Sequence, residues 1–259
     1  MNIQSLLQVN KAGMNGNQNN LDIIANNLAN LTTTGFKAKS GAFGATLNNQ
    51  INNQEVPLAA TSNQMALNTG LIVGSDIDDF RQGGLQTTGQ KTDFALQGNG
   101  FFGVRDANNQ LLLTRVGDFK RDAQGTLVTD TGLHVATTDR IPQNQWPQGE
   151  MAVSANGDIT IQTPQGSVAV GQLNIYQPRS LNDLQPAGNT MYQAQGGAVQ
   201  IINGTPGAGS ITQGALENAN VDMASQMADM ISTQRAYQLN AKALQATDNI
   251  LNVTNNFNQ

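Results

Sequence analysis

Between Met223 and Leu251 an apolar residue recurs at every seventh position: Met223, Met230, Tyr237, Leu244 and Leu251. No proline or glycine interrupts the run after Gly214. A strict seven-residue repeat keeps one narrow seam turned toward a partner helix, whereas a surface helix of a globular body shows a broader stripe. Asn220 and Asp222 supply a helix start, a capping side chain followed by an acid in the first turn. Such a helix needs a partner with a matching seam.

The beginning of the chain provides one. Leu7, Met14, Leu21 and Leu28 are spaced by seven, and a second row (Ile3, Asn10, Asn17, Ile24, Leu31) alternates with it in the manner of a and d positions. Thr33, Thr34 and Gly35 are expected to stop this helix, with Gly35 in the left-handed C′ conformation. The packing residues expected on the N-terminal helix are Leu7, Met14, Leu21, Ile24, Leu28 and Leu31. Both seams are poor. Asn10 and Asn17 occupy d-type positions, and Gly13, Gly16, Asn15, Asn19 and Asn20 are weak helix formers. Burial of so few apolar side chains falls short of the entropy lost in ordering the two segments. The termini are therefore expected to be mobile in a lone subunit and helical once many copies pack together.

Between the helices the periodicity changes. Residues 36–75 read as an extended connector with some β character near Leu71–Val73. From 76 to 199 short alternating runs are separated by turn residues. Phe94 and Leu96 precede Gly98-Asn99-Gly100, and Phe101, Phe102 and Val104 follow; Asn108-Asn109 leads into Leu111–Thr114. Gln124-Gly125 separates Phe119 from Leu127 and Val128, and Thr163–Gly166 turns the chain into Val168, Val170, Leu173 and Ile175. The clearest hairpin is Met151 and Val153, the Asn156-Gly157 turn, then Ile159 and Ile161. This pattern predicts an antiparallel sandwich or barrel. A glycine-rich return connector, 200–214, leads to a C-terminal helix over 215–259. The expected class is thus α+β: N- and C-terminal helices (1–35 and 215–259) paired as a coiled coil, with a mainly antiparallel β domain inserted.

Composition removes several function classes. The chain has 259 residues, a net charge of −5 and no Lys/Arg cluster, which argues against nucleic-acid binding. It has no cysteine, so disulfides, thiolate metal sites and cysteine nucleophiles are excluded. Only 12% of residues are charged, and the abundance of short polar side chains suits close protein–protein contact. It also resembles the composition of partly disordered chains. The N-terminus lacks the features of a cleaved signal peptide, and no apolar run approaches the ~18 residues needed to span a bilayer.

Candidate chemistry is sparse. Gly98-Asn99-Gly100 is followed by two phenylalanines rather than by a helix and a third glycine, so it reads as a turn, not a dinucleotide loop. Gly207-Ala208-Gly209-Ser210 lacks the lysine of a phosphate-binding loop. His134 is the only histidine and sits between apolar neighbours in an expected strand, which leaves little support for a metal cluster or a catalytic triad. Asp118 and Asp122 are a conceivable carboxylate pair for glycoside hydrolysis, but they flank a strand and turn with Lys120 and Arg121 between them. Asn30, Asn203 and Asn252 begin glycosylation sequons of the kind that an Asn-rich chain yields by chance. No catalytic, cofactor-binding or metal-ligating residue is expected. A secreted adhesin and a cell-wall hydrolase are the competing classes, and neither explains a seam at each end.

Four segments carry a family resemblance. Leu21-Asp22-Ile23-Ile24-Ala25-Asn26-Asn27-Leu28-Ala29-Asn30, running into Thr34-Gly35-Phe36-Lys37, resembles the N-terminal signature of the flagellar rod and hook axial proteins. Asp93-Phe94-Ala95-Leu96-Gln97-Gly98-Asn99-Gly100-Phe101-Phe102 resembles their central motif. Thr114-Arg115 with Gly117-Asp118-Phe119, then Gly125–Val128, resembles the segment that follows. Gln213–Glu217 with Asn220-Val221-Asp222, and Gln234-Arg235-Ala236-Tyr237 with Asn240 and Lys242, resembles the C-terminal signature. The length favours rod members over the longer hook members. The stretch Leu47–Val73 and Val170–Leu173 resemble the distal-rod branch.

The resemblance implies export by the flagellar type III apparatus without signal cleavage. It also implies helical polymerisation into the shaft that joins motor to hook. Implied partners are further copies of the chain, neighbouring rod and hook proteins, and the bushing ring. The implied place is the extracytoplasmic basal body, with no nucleic acid, membrane insertion or cofactor involved. Another rod or hook-type axial subunit is the alternative within the family.

Overall fold

Two long helices, Ile3–Ala29 (α1) and Met223–Phe257 (α2), lie at the two ends of the chain in a computed structural model. The structure describes residues 3–45, 49–50, 66–67, 71–123, 125–195, 199–204 and 209–257. The chain forms two bodies. A helical body comprises Met1–Ala29, Lys39–Asp79 and Asp222–Gln259, and a β body comprises Asn30–Ala38 and Phe80–Val221.

In the helical body α1 and α2 pack against each other, and the strands Lys39–Ala45 and Leu71–Asp78 pair antiparallel beside α1. The connector expected over 36–75 therefore contains paired antiparallel strands, and Lys39–Asp79 belongs to the helical body, so the β body resumes at Phe80 rather than at 76. Most of the Leu47–Val73 stretch lies outside the described residues. The start of α2 is capped by Asp222, whose Oδ1 accepts from the backbone N–H groups of Ala224 (2.9 Å) and Ser225 (3.3 Å). The cap is thus Asp222 and not Asn220. A carboxylate there satisfies two otherwise orphaned donors and opposes the positive end of the helix dipole.

Two other expected boundaries shift. Helix α1 ends at Ala29, because Asn30 and Thr33 form a local turn: the Thr33 N–H donates to the Asn30 carbonyl at 3.0 Å and its hydroxyl to the Asn30 side chain at 3.2 Å. Such side-chain competition for the backbone is why Asn and Thr end helices. Leu31 accordingly lies in the turn, outside the helix and in the β body. At the other end, Ala215–Glu217 is a strand paired with Leu85–Thr87, so the C-terminal helix begins at Met223 and not at 215. The supposed connector 200–214 likewise contains Ser210–Gln213, paired with Phe94–Gln97.

The β body is antiparallel throughout its described strands. A nine-stranded sheet is centred on Phe101–Arg105, which pairs with Leu111–Thr114 on one side and with His134–Val135 and Ile175–Pro178 on the other. A four-stranded sheet contains the expected hairpin, with Met151 opposite Ile161 and Val153 opposite Ile159; Gly157 takes φ 90° at its turn. Phe102, Phe119 and Leu127 from the first sheet and Met151, Ile159, Ile161, Val170 and Leu173 from the second share one buried core. A smaller cluster holds Phe101, Leu113, Tyr176, Leu184 and Tyr192. Alternation supplied these faces, since every second residue of a strand points to the same side.

Candidate functional site

The catalytic alternatives find no constellation. Asp122 accepts from the backbone N–H of Thr126 at 2.7 Å and from the Thr126 hydroxyl, so its carboxylate holds its own turn together. Asp118 lies opposite Asp93 in an isolated bridge. Its pKa is raised first by burial, then by the Asp130 and Asp93 charges, while Lys120 opposes the shift. His134 is exposed, paired through the backbone with Arg105. Among the described residues no group of three or more acidic, histidine or cysteine side chains could hold a metal. No described helix is long and apolar enough to cross a membrane.

Charge is instead concentrated inside the β body. Lys37, Arg115 and Glu217 are each no more than 2% exposed. Lys37 Nζ donates to Glu217 Oε1 at 2.7 Å and to the Arg81 carbonyl at 2.8 Å. Arg115 Nη1 donates to Glu217 Oε2 at 3.3 Å and Nη2 to the Gly98 carbonyl at 2.6 Å. The Gly83 N–H gives Glu217 Oε1 a further donor at 2.8 Å. The guanidinium lies 5.0 Å from the centre of the Phe101 ring, a cation–π contact. Burial lowers the Arg115 pKa, and the charge and hydrogen bond of Glu217 oppose that shift. One carboxylate therefore neutralises two buried cations, which makes it the member that cannot be lost cheaply.

Backbone bonds tighten the same junction. The Gly35 N–H donates to the Glu217 carbonyl at 2.7 Å. The side chain of Asn220 accepts from the Ala38 N–H at 2.6 Å and donates to the Arg81 carbonyl at 3.0 Å. Gly35 has φ 66°, and a Cβ there would come within 2.7 Å of the Arg115 backbone. That glycine serves a close crossing of chains, not the end of a helix. Segments near 35–38, 81–83, 98, 115 and 217–220 thus meet at one point. Most of them belong to the four sequence signatures, yet the spacing within each signature assigns no role to Lys37, Arg115 or Glu217. Only the isolation of Glu217, the one acid between Asp183 and Asp222, marks it.

In the helical body the seam residues are unevenly covered. Ile24 is buried; Leu7, Met14, Leu21, Leu28, Met230, Tyr237 and Leu244 are half-buried; Met223 is 47% exposed. The side chain of Leu251 lies outside the described residues. A polar row was missed. Asn20 Nδ2 donates to the Thr233 hydroxyl at 3.1 Å, Asn27 Nδ2 donates to Gln226 Oε1 at 3.1 Å, and Asn240 Nδ2 lies 2.8 Å from where a Cβ on Gly13 would stand. A search for apolar periodicity passes over this row, although its members also repeat by seven. Helix α2 has in addition an uncovered apolar row. Ile231 (53%) and Leu239 (66%) line an open groove of about 490 Å³ with Ala228, Ser232, Arg235 and Ala236. Met227, Ile250 and Val253 are exposed as well.

Comparison with known proteins bears on what such a surface serves. Three family models match in chain order: "Flagella basal body rod protein" over 7–37, "Flagellar hook protein FlgE/F/G D1 domain" over 95–176 and "Flagellar basal body rod FlgEFG protein C-terminal" over 212–257. The flagellar basal-body rod protein FlgG of Borreliella burgdorferi is 34% identical over 255 residues, 95% of each chain. The chain belongs to the flagellar basal-body rod protein family. The FlgG rod proteins of Buchnera aphidicola (32% identical, covering 95% of this chain and 96% of the relative) and Bacillus subtilis (30%, 93% and 94%) extend the similarity. The first family match covers α1 from Leu7 onward, the last covers α2, and the middle one covers much of the β body, Arg115 included.

Proposed function

We propose that this chain is a structural subunit of the bacterial flagellar basal-body rod, of the FlgG or distal type, and that it is not an enzyme. The observation that carries the reading is similarity to FlgG rod proteins over nearly the whole chain. The uncovered apolar row of α2 fits it, because Ile231 and Leu239, more than half exposed in the single chain, would be covered by neighbouring copies. In this reading the row of Ile231, Leu239 and Ile250 packs on neighbouring copies. Leu7, Met14, Leu21, Ile24, Leu28 and Leu31, with Met223, Met230, Tyr237, Leu244 and Leu251, become fully covered only within the polymer.

The terminal helices then pack in coiled-coil contact within the polymer. Torque passes from motor to hook through the packed helices, and the buried ion cluster fixes the first and last segments of the β body to each other. Export through the type III apparatus precedes assembly, and neighbouring rod and hook proteins and the bushing ring are the further partners. Electron microscopy of a strain lacking this protein tests the reading. Hooks and the distal rod should disappear together; intact hooks on a complete rod would overturn it.

A further inference from the structure

We propose that the polar row between α1 and α2 is a register key, which fixes how the two terminal helices align at the expense of their stability as a pair. Asn20 meets Thr233 and Asn27 meets Gln226, both at 3.1 Å, while Gly13 leaves room for Asn240. Each step of seven along α1 is answered by a step of seven back along α2. The contacts therefore describe one continuous antiparallel register.

A slip of three or four residues sets the Asn20 and Asn27 amides against the apolar row of Met230 and Tyr237. A buried amide without a partner is among the costlier defects of a protein interior, so the polar row selects the phase. A slip of one heptad is subtler, since it keeps polar groups opposite polar groups. It would bring Asn20 opposite Asn240 and Thr247 opposite Gly13, so the Asn240 amide would lose the space that the glycine leaves it. That layer would then hold two amides in place of one amide and a glycine. In the opposite direction Gly13 would face Thr233, which is 6% exposed, and the hydroxyl would lose its Asn20 partner.

Asn27 adds an absolute reference. Its side-chain oxygen accepts from the Lys39 N–H and its nitrogen donates to the Lys39 carbonyl, both at 2.8 Å, and it is 1% exposed. The layer that contacts Gln226 is thus tied to the start of the strand Lys39–Ala45. A single buried Asn in a coiled coil fixes register and costs stability in the same way. The inference concerns the helix pair itself and holds whether or not the chain enters a rod.

The chain has no cysteine, so introduced pairs report cleanly. Gly13→Cys with Asn240→Cys tests the observed register, and Gly13→Cys with Thr247→Cys tests a one-heptad slip. Both are oxidised in the dilute full-length chain, where bridging is intramolecular; oxidation traps the paired state however briefly it forms. The first pair should bridge at least ~10-fold faster, since a disulfide tolerates only a narrow range of Cα separations. Replacing the whole row (Asn20→Leu, Asn27→Leu, Gln226→Leu and Thr233→Leu, with Asn240→Ala beside the Thr247→Cys pair) should bring the two rates within about twofold while raising the thermal midpoint of the helical signal. Equal rates in the natural seam, or a preference unchanged by the leucines, would overturn the proposal. Swimming of the same variants is scored separately, so a non-motile strain with in-register bridging counts against the rod reading alone.

Discussion

Glu217 Oε1 lies 2.7 Å from Lys37 Nζ across 180 residues of sequence, with both side chains fully buried. The same carboxylate also holds Arg115 at 3.3 Å. Glu217→Gln strands two cations, and breaking a buried ion pair in this way costs about 3–5 kcal/mol. Lys37→Met leaves Glu217 paired with Arg115 and the Gly83 N–H, so its cost should be nearer the about 1.5–3 kcal/mol of a charged hydrogen bond. Urea unfolding followed by fluorescence of Trp146, the only tryptophan and a member of the β core, measures both. Equal losses would refute the central position of Glu217.

Asp118 should make stability fall as pH rises. Burial and the charges of Asp130 and Asp93 raise its pKa in the folded state, and its hydrogen bond with Asp130 also favours the protonated form. The folded chain therefore binds more protons than the unfolded one between the unfolded pKa of about 3.9 and the higher folded value. The cost of ionising Asp118 is absent below that window and fully present above it. Asp118→Asn, whose amide can donate to Asp130, should raise the thermal midpoint at pH 7 and leave it unchanged near pH 3. A gain that persists at pH 3 would contradict this cause.

Leu239→Asp separates folding from assembly. Leu239 is two-thirds exposed in the single chain, so the substitution should change unfolding by no more than about 0.5 kcal/mol. In the polymer the carboxylate would be buried against a neighbour without a partner, and incorporation into rods should fail. Motility comparable to that of the unmodified chain would remove the outward row of α2 from the interface.

The strands of the β body were legible because alternation and turn residues are local. Met151, Val153, Ile159 and Ile161 flank Asn156-Gly157, and the observed register pairs them as that turn requires. Helix ends were less so. Gly35 resembles a helix stop, but its left-handed conformation answers to Arg115, a residue eighty positions away, while Asn30 and Thr33 end the helix earlier. Lys37, Arg115 and Glu217 carry no mutual spacing, so only folding brings them together. The row of Gln226, Thr233 and Asn240 had the right period and the wrong polarity for a hydrophobic search.

Helix order should depend on assembly. The seam holds few apolar side chains and a polar row, so the amides of α1 and α2 should exchange with solvent faster than those of Phe94–Gln97 or Ile159–Thr163 in the dilute chain. Packing in rods should slow the helical amides by orders of magnitude. Equal protection of helices and strands in the dilute chain would contradict assembly-coupled ordering.

The most direct measurement is the composition of rods purified from cells that express a chain lacking residues 241–259. That truncation removes Leu244 and Leu251 of the inner row and Ile250 of the outer one, and removes no residue of the β body. The account predicts an unchanged Trp146 unfolding transition in the purified chain and no truncated subunit in the rods. Truncated subunits incorporated into rods would contradict it.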